Sequence, residues 1–294
     1  MKSFGPVITA MVTPFDEYNQ LNISSLRKLI IHLLKHGSTS LVITGTTGEA
    51  PTLTAIERLR IWETAVDFAG GTVPIIAGVG TNNTKTTIHN VKLAEEIGAD
   101  AVLVVTPYYN KTSQSGLIAS YTAIADATDL PVIMYNVPSR TGVNIAPETA
   151  KTLSAHPKIN AIKEASGNIS QVAKIAALCG DDLNIYSGND DQIVPLLSLG
   201  GKGVISVLAH VAPQQTHDIC QLWFDGKTTE SSALQLKLLD LCNVLFCDVN
   251  PIPVKAAMNM LGYNAGECRL PLVSTSEANL AKIRAELTKY GILQ

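Results

Sequence analysis

Short runs rich in Val and Ile alternate along this chain with longer segments whose apolar residues recur at helical spacing, almost from end to end. That alternation is the pattern of repeated β-α units feeding a parallel sheet. The strand segments read as 7–13, 40–44, 73–78, 101–106, 131–136, 159–163, 183–187 and 203–207. Between them the spacing predicts helices over 23–35, 55–68, 84–97, 117–127, 147–155 and 169–178. Gly37, Gly98 and Gly180 occupy helix-stop positions, where a left-handed residue is wanted. Eight such units fit a closed α/β barrel of (β/α)8, or TIM barrel, type better than an open doubly wound sheet. The first strand is followed by no GxGxxG, and no Walker loop occurs. We therefore expect a catalytic barrel over residues 1–224 and a C-terminal helical appendage over 225–294, with helices at 230–245, 253–261 and 277–290. A turn-rich stretch at 248–253 divides two of them.

Composition narrows the function classes. The 294 residues are 46% hydrophobic, enough to bury a large core. With 22 basic and 25 acidic residues the formal charge is −3 and the pI about 6.1, and like charges form no block, so nucleic acid is not expected as a partner. Gly5, Pro6, Asp16 and Glu17 make the N-terminus a poor signal peptide. No apolar run reaches the length that spans a bilayer, so no membrane partner is expected. Cys179, Cys220, Cys242, Cys247 and Cys268 are odd in number and form no CxxC pair, which suits unpaired thiols in a reducing cytoplasm. The six histidines are scattered, without metal-ligand spacing.

Barrels of this kind gather their functional groups at the C-terminal ends of the strands. Those ends hold Thr44 to Glu49 (Thr-Gly-Thr-Thr-Gly-Glu), Tyr135 to Arg140 (Tyr-Asn-Val-Pro-Ser-Arg), and Lys163 within Ile-Asn-Ala-Ile-Lys-Glu-Ala-Ser-Gly. Alternation puts Ala161, Lys163 and Ala165 on one face, so the lysine has small neighbours. An amine removed from water loses its preference for the ammonium form and can attack a carbonyl to give a Schiff base. The plainer reading is a lysine with a packed stem and a solvated head. Tyr135 suits proton transfer, although a core aromatic is the competing reading. Arg140, in a loop opened by Pro138, suits a bidentate carboxylate contact, against a merely solvated arginine. Gly45 to Glu49 offers hydroxyls and backbone N–H groups to an anion, or simply reverses the chain. Gly200-Gly-Lys-Gly203 precedes its strand, at the wrong end for a phosphate cradle, and reads as a tight turn.

Seven segments in order resemble the dihydrodipicolinate synthases (4-hydroxy-tetrahydrodipicolinate synthases), within the pyruvate-dependent class I aldolases that also include N-acetylneuraminate lyase. They are Gly45 to Glu49, Val105 to Asn110, Tyr135 to Gly142, Ile162 to Gly167, Ser187 to Asp190, Gly203 to Val207 and Asn250 to Lys255. The resemblance implies a lyase of amino-acid biosynthesis, on the lysine and diaminopimelate route. It implies that Lys163 forms a Schiff base with pyruvate and that the enamine attacks L-aspartate 4-semialdehyde. Tyr135 is then the proton donor and acceptor, linked through Thr46 to Tyr109 of a neighbouring subunit. Thr47 and the backbone at Ile205 hold the pyruvate carboxylate, Arg140 holds the semialdehyde carboxylate, and Gly188 leaves room. A homotetramer is expected, and neither a metal nor an organic cofactor. The alternatives are an aldolase cleaving a 2-keto-3-deoxy sugar acid or N-acetylneuraminate, and an idle barrel that binds a keto acid. The first lacks the carboxylate clamp at Arg140, and the second should have lost Lys163, Tyr135 or Thr46. Where lysine-inhibited members carry two histidines and a glutamate, this chain has Ala55, Arg58 and Thr86, while Asn82 and Tyr108 remain. Lysine feedback is therefore expected to be weak or absent.

Overall fold

The computed structural model describes residues 3–293. Eight parallel strands close into a barrel in chain order: β1 (Val7–Ala10), β2 (Ser40–Ile43), β3 (Ile75–Gly78), β4 (Ala101–Val105), β5 (Val132–Asn136), β6 (Ile159–Glu164), β7 (Asn184–Ser187) and β8 (Gly203–Ser206), with β8 pairing back to β1. The helices are α1 (Ile23–Lys35), α2 (Ala55–Ala69), α3 (Thr84–Ile97), α4 (Gln114–Asp126), the single turn α5 (Pro138–Thr141), α6 (Pro147–Ser154), α7 (Ile169–Cys179), α8 (Ile193–Leu197) and α9 (Pro213–Phe224). Then come α10 (Thr228–Lys237), α11 (Leu239–Val244), α12 (Ile252–Met260) and α13 (Glu277–Lys289).

Local chemistry starts these helices where the sequence asks. The Asn22, Asn83, Ser113, Asn168 and Ser276 side chains each accept an N–H of the first turn, and Thr54 with Glu57 forms a reciprocal capping box. Strand residues alternate between two apolar layers. Ile8, Val42, Ile76, Leu103, Ile133, Tyr135, Ala161, Tyr186 and Ile205 fill the barrel, while their neighbours Val132, Met134, Ile162 and Val204 pack outward against the helices. Burial on both faces is why the strands read as continuous apolar runs. Closure depends on Gly203, whose φ is +145° and whose added Cβ would lie 2.0 Å from the Pro6 carbonyl oxygen. The preceding glycines form the expected turn, with Gly201 N–H donating to the Leu196 carbonyl.

Three expectations need correction. Arg140 sits in the one-turn helix α5 rather than a loop, because Pro138 supplies a preset helical φ at its first position. The segment 230–245 is two helices, broken at Leu238, where φ −92° and ψ 3° leave the helical range. The histidines are not all scattered: His32 stacks near His36 and Tyr263, with centroids 4.8 and 4.5 Å away, and its Nε2–H donates to the His210 carbonyl. Among the described residues no group of His, Cys, Asp or Glu forms a metal cluster, and no helix is long and apolar enough to cross a membrane.

Candidate active site

Lys163 projects from β6 into the barrel and is only 6% exposed. Strand register sets it beside Tyr135 on β5 and Tyr186 on β7. Its Nζ lies 4.5 Å from the centroid of the Tyr135 ring, a contact in which the ring face favours positive charge. Among the described residues no carboxylate forms a salt bridge with it. Burial of Lys163 does not fit a solvated head, while Tyr135 is both an aromatic of the barrel core and part of the cavity wall. At Gly188 an added Cβ would meet the Lys163 Cε at 3.0 Å and the Ala165 Cβ at 2.5 Å. Any side chain there would push the lysine shaft aside.

The loop after β2 turns sharply toward the same end. Thr44 adopts φ +54°, and its Oγ1 accepts from Trp62 Nε1 at 2.7 Å while donating to the Gly78 carbonyl at 3.0 Å. Thr46, Tyr135 and Arg140 line one cavity of about 250 Å³, walled further by Leu103, Thr81 and Tyr108. Thr47 is buried beside it and accepts a hydrogen bond from Asn250 Nδ2 at 3.0 Å. Glu49 ends the loop in a left-handed conformation, φ +56°. Its carboxylate takes Lys255 Nζ and the Arg269 N–H, both at 2.8 Å. Burial works against the Lys255 ammonium and Glu49 works for it. The C-terminal region thus clasps the loop that carries both threonines.

A second set of polar groups lies behind the barrel wall. Glu164 follows Lys163 and pairs in register with Asn136, which follows Tyr135. Its buried carboxylate accepts from Asn136 Nδ2 at 2.9 Å, Gln171 Nε2 at 3.1 Å and the Ser166 N–H at 2.7 Å. Asn144 completes the cluster through Asn136 and Gln171. The ends of β5 and β6 are thereby tied at the residues next to the amine and the phenol. Under β8, Asp190 accepts from Ser206 Oγ at 2.5 Å and from the Val207 and Leu208 N–H groups at 2.9 Å. Burial pushes its carboxyl up, against the pull of those donors.

The structure gathers most of the expected residues at one end of the barrel. Lys163, Tyr135 and Ile205 share the interior, Gly188 touches the lysine shaft, and Thr46 and Arg140 face the cavity. Arg140 reaches the Asn250 carbonyl through Nη2 at 3.4 Å. Tyr109 is not brought in: it is 92% exposed on this chain, with φ +67°. Sequence reasoning passed over Asn136, Asn144, Glu164, Gln171, Asp190 and Asn250. The available signal was polarity inside segments otherwise read as buried strand, as at Glu164 beside Lys163.

Residues 3–290 match the Dihydrodipicolinate synthetase family. The chain belongs to that family. Curated relatives include a 4-hydroxy-tetrahydrodipicolinate synthase of Clostridium perfringens, 51% identical over 97% of this chain and 98% of the relative. Another, from Caldicellulosiruptor saccharolyticus, is 52% identical over 96% of each. The solved dihydrodipicolinate synthase of Thermotoga maritima superposes with a TM-score of 0.97 at 43% identity, covering 99% of both chains.

Proposed function

We propose that Lys163 is the Schiff-base lysine of this enzyme, a lyase of the class I aldolase type acting in lysine and diaminopimelate biosynthesis. The enzyme is a 4-hydroxy-tetrahydrodipicolinate synthase, condensing pyruvate with L-aspartate 4-semialdehyde. One observation carries the assignment: a lysine 6% exposed at a barrel mouth, its amine over a phenol ring, with no carboxylate among the described residues in a salt bridge with it. Neutral Nζ attacks the keto carbon of pyruvate, water leaves, and an iminium remains. Loss of a methyl proton gives an enamine whose carbon attacks the aldehyde, and the aldehyde oxygen takes up a proton. The amino group of the semialdehyde then closes the ring on the imine carbon and releases the Lys163 amine.

Tyr135, against the amine, is the group we assign to these proton transfers, relayed through Thr46. Thr47 and the backbone at Ile205 hold the pyruvate carboxylate, and Arg140 at the rim holds that of the semialdehyde. Gly188 leaves space for the adduct beside the lysine shaft. Tyr109 of a second copy completes the relay, which makes a homotetramer part of the proposal. We also place the enzyme in the cytoplasm, where its five free cysteines suit a reducing environment. Residues 1–224 form the catalytic barrel and 225–294 the C-terminal helical region in this reading.

Sodium borohydride reduction with pyruvate, followed by intact mass, tests the core of it. A pyruvate-sized adduct on the native chain, absent from Lys163→Ala, is the expected result. Folded native protein that acquires no adduct would overturn the mechanism. Turnover with aspartate semialdehyde but not N-acetylmannosamine is expected of the second substrate.

A further inference from the structure

The Asn250 to Lys255 segment lies outside the barrel strands, yet its first residue touches two groups of the site. Asn250 Nδ2 donates to Thr47 Oγ1 at 3.0 Å, and the Asn250 carbonyl accepts from Arg140 Nη2 at 3.4 Å. Asn250 is 7% exposed and Thr47 3%. A hydroxyl carries a single proton. Thr47 Oγ1 already accepts from the amide, and among the described residues no acceptor is recorded for its own proton. The amide therefore determines which way that proton can be offered. The other end of the same side chain, Oδ1, is buried with no hydrogen-bond partner among the described residues. An unpaired buried acceptor costs stability, and here that cost falls at a residue joined to both Thr47 and Arg140.

We propose that Asn250 is a positioning residue: it fixes the Thr47 hydroxyl as a donor toward the keto-acid carboxylate and holds Arg140 at its carbonyl. The C-terminal region thereby acts on substrate binding as well as on the barrel's packing. The inference rests on Thr47 holding the pyruvate carboxylate, as read above.

Asn250→Asp keeps the shape and reverses the polarity, since an ionised carboxylate only accepts and draws the Thr47 proton to itself. The expected result is a rise of about tenfold or more in the KM for pyruvate with a smaller change in kcat, an uncoupling that loss of packing alone does not produce. Thr47→Val removes the hydroxyl, and in that background Asn250→Asp should add less than about twofold. Losses of equal size in both backgrounds, or an Asn250→Asp enzyme with unchanged KM, overturn the proposal. Asn250→Ala, which deletes the donor without adding charge, runs through the same cycle and decides the matter if the aspartate variant does not fold. Borohydride trapping on the unaltered chain separates the two levels. No adduct sinks the aldolase reading itself, whereas an adduct together with additive losses removes only the role of Asn250.

Discussion

Asp190 and His210 are buried on adjoining stretches of chain, and burial drives them in opposite directions, the carboxyl up and the imidazole down to about 4. His210 Nδ1–H donates to the Val207 carbonyl at 3.0 Å, and Nε2 accepts from the Val12 N–H at 3.1 Å. That pair of bonds requires the neutral ring, because an imidazolium has no acceptor to offer Val12. The unfolded chain takes up this proton near 6.5, the folded chain only near 4. Between those values the unfolded state holds more protons. Stability from His210 is complete above 6.5 and is lost as pH falls toward 4, by at most about 3 kcal/mol. His32, shifted in the same direction by burial, adds to the slope. Calorimetry should show Tm falling steeply over that window, and His210→Gln, less stable at neutral pH, should flatten the fall; an unchanged slope would refute the assignment. None of this was legible in the sequence, where His210 is one histidine among six. Its character comes from main-chain groups just beyond the ends of β1 and β8, Val12 and Val207, that only the closed barrel brings together. Lys163 was legible because a strand's alternation already fixes its face and its small neighbours.

At the scale of elements, α2 and α3 decide how the rest of the cavity behaves. Arg58 of α2 lines the same cavity as Tyr135 and Tyr108, its Nη2 donates to the Ala50 carbonyl, and its Nε is buried without a hydrogen-bond partner among the described residues. Ala55 opens α2, and Thr86 lies in the first turn of α3. No carboxylate is among the described residues lining the cavity, while two arginines are. A ligand that brings an ammonium meets positive charge and no anion there. Free lysine at about 1 mM should change turnover by less than about twofold. Saturable inhibition at submillimolar lysine would overturn this. The frame that sets these residues was readable from periodicity, since α1 and α3 run over the segments expected and the strands differ by a few residues at most. The single turn α5 was not, because one turn is too short to show a period. The break at Leu238 escaped for another reason: apolar spacing continues across it, and only the backbone turns.

The whole molecule poses the question of what Tyr109 is for. Its ring is 92% exposed, and its backbone sits at φ +67°, a conformation that costs a bulky residue energy unless something holds it. Asn110 pins the neighbouring turn by donating to the Asn82 carbonyl at 2.9 Å. A strained turn that presents an aromatic ring outward serves no packing purpose within one chain. The relay proposed above gives it one, insertion into a second copy beside that copy's Thr46. Sequence patterning reaches the eight units and their closure but not this level, because periodicity describes how a chain meets itself. Subunit mixing tests the point directly. Lys163→Ala and Tyr109→Phe chains should each be nearly inactive alone. In a hybrid pair, the Tyr109→Phe chain keeps its lysine and receives the missing phenol from its partner, which restores one of two sites. Random pairing of equal amounts should then recover about a quarter of the parental activity, as expected of isologous pairs exchanging one residue each. A mixture no more active than the sum of its components would mean that Tyr109 works within its own chain or not at all. Recovery that rises with exchange time would place half of each active site on the neighbouring copy, and the oligomer would be the catalytic unit.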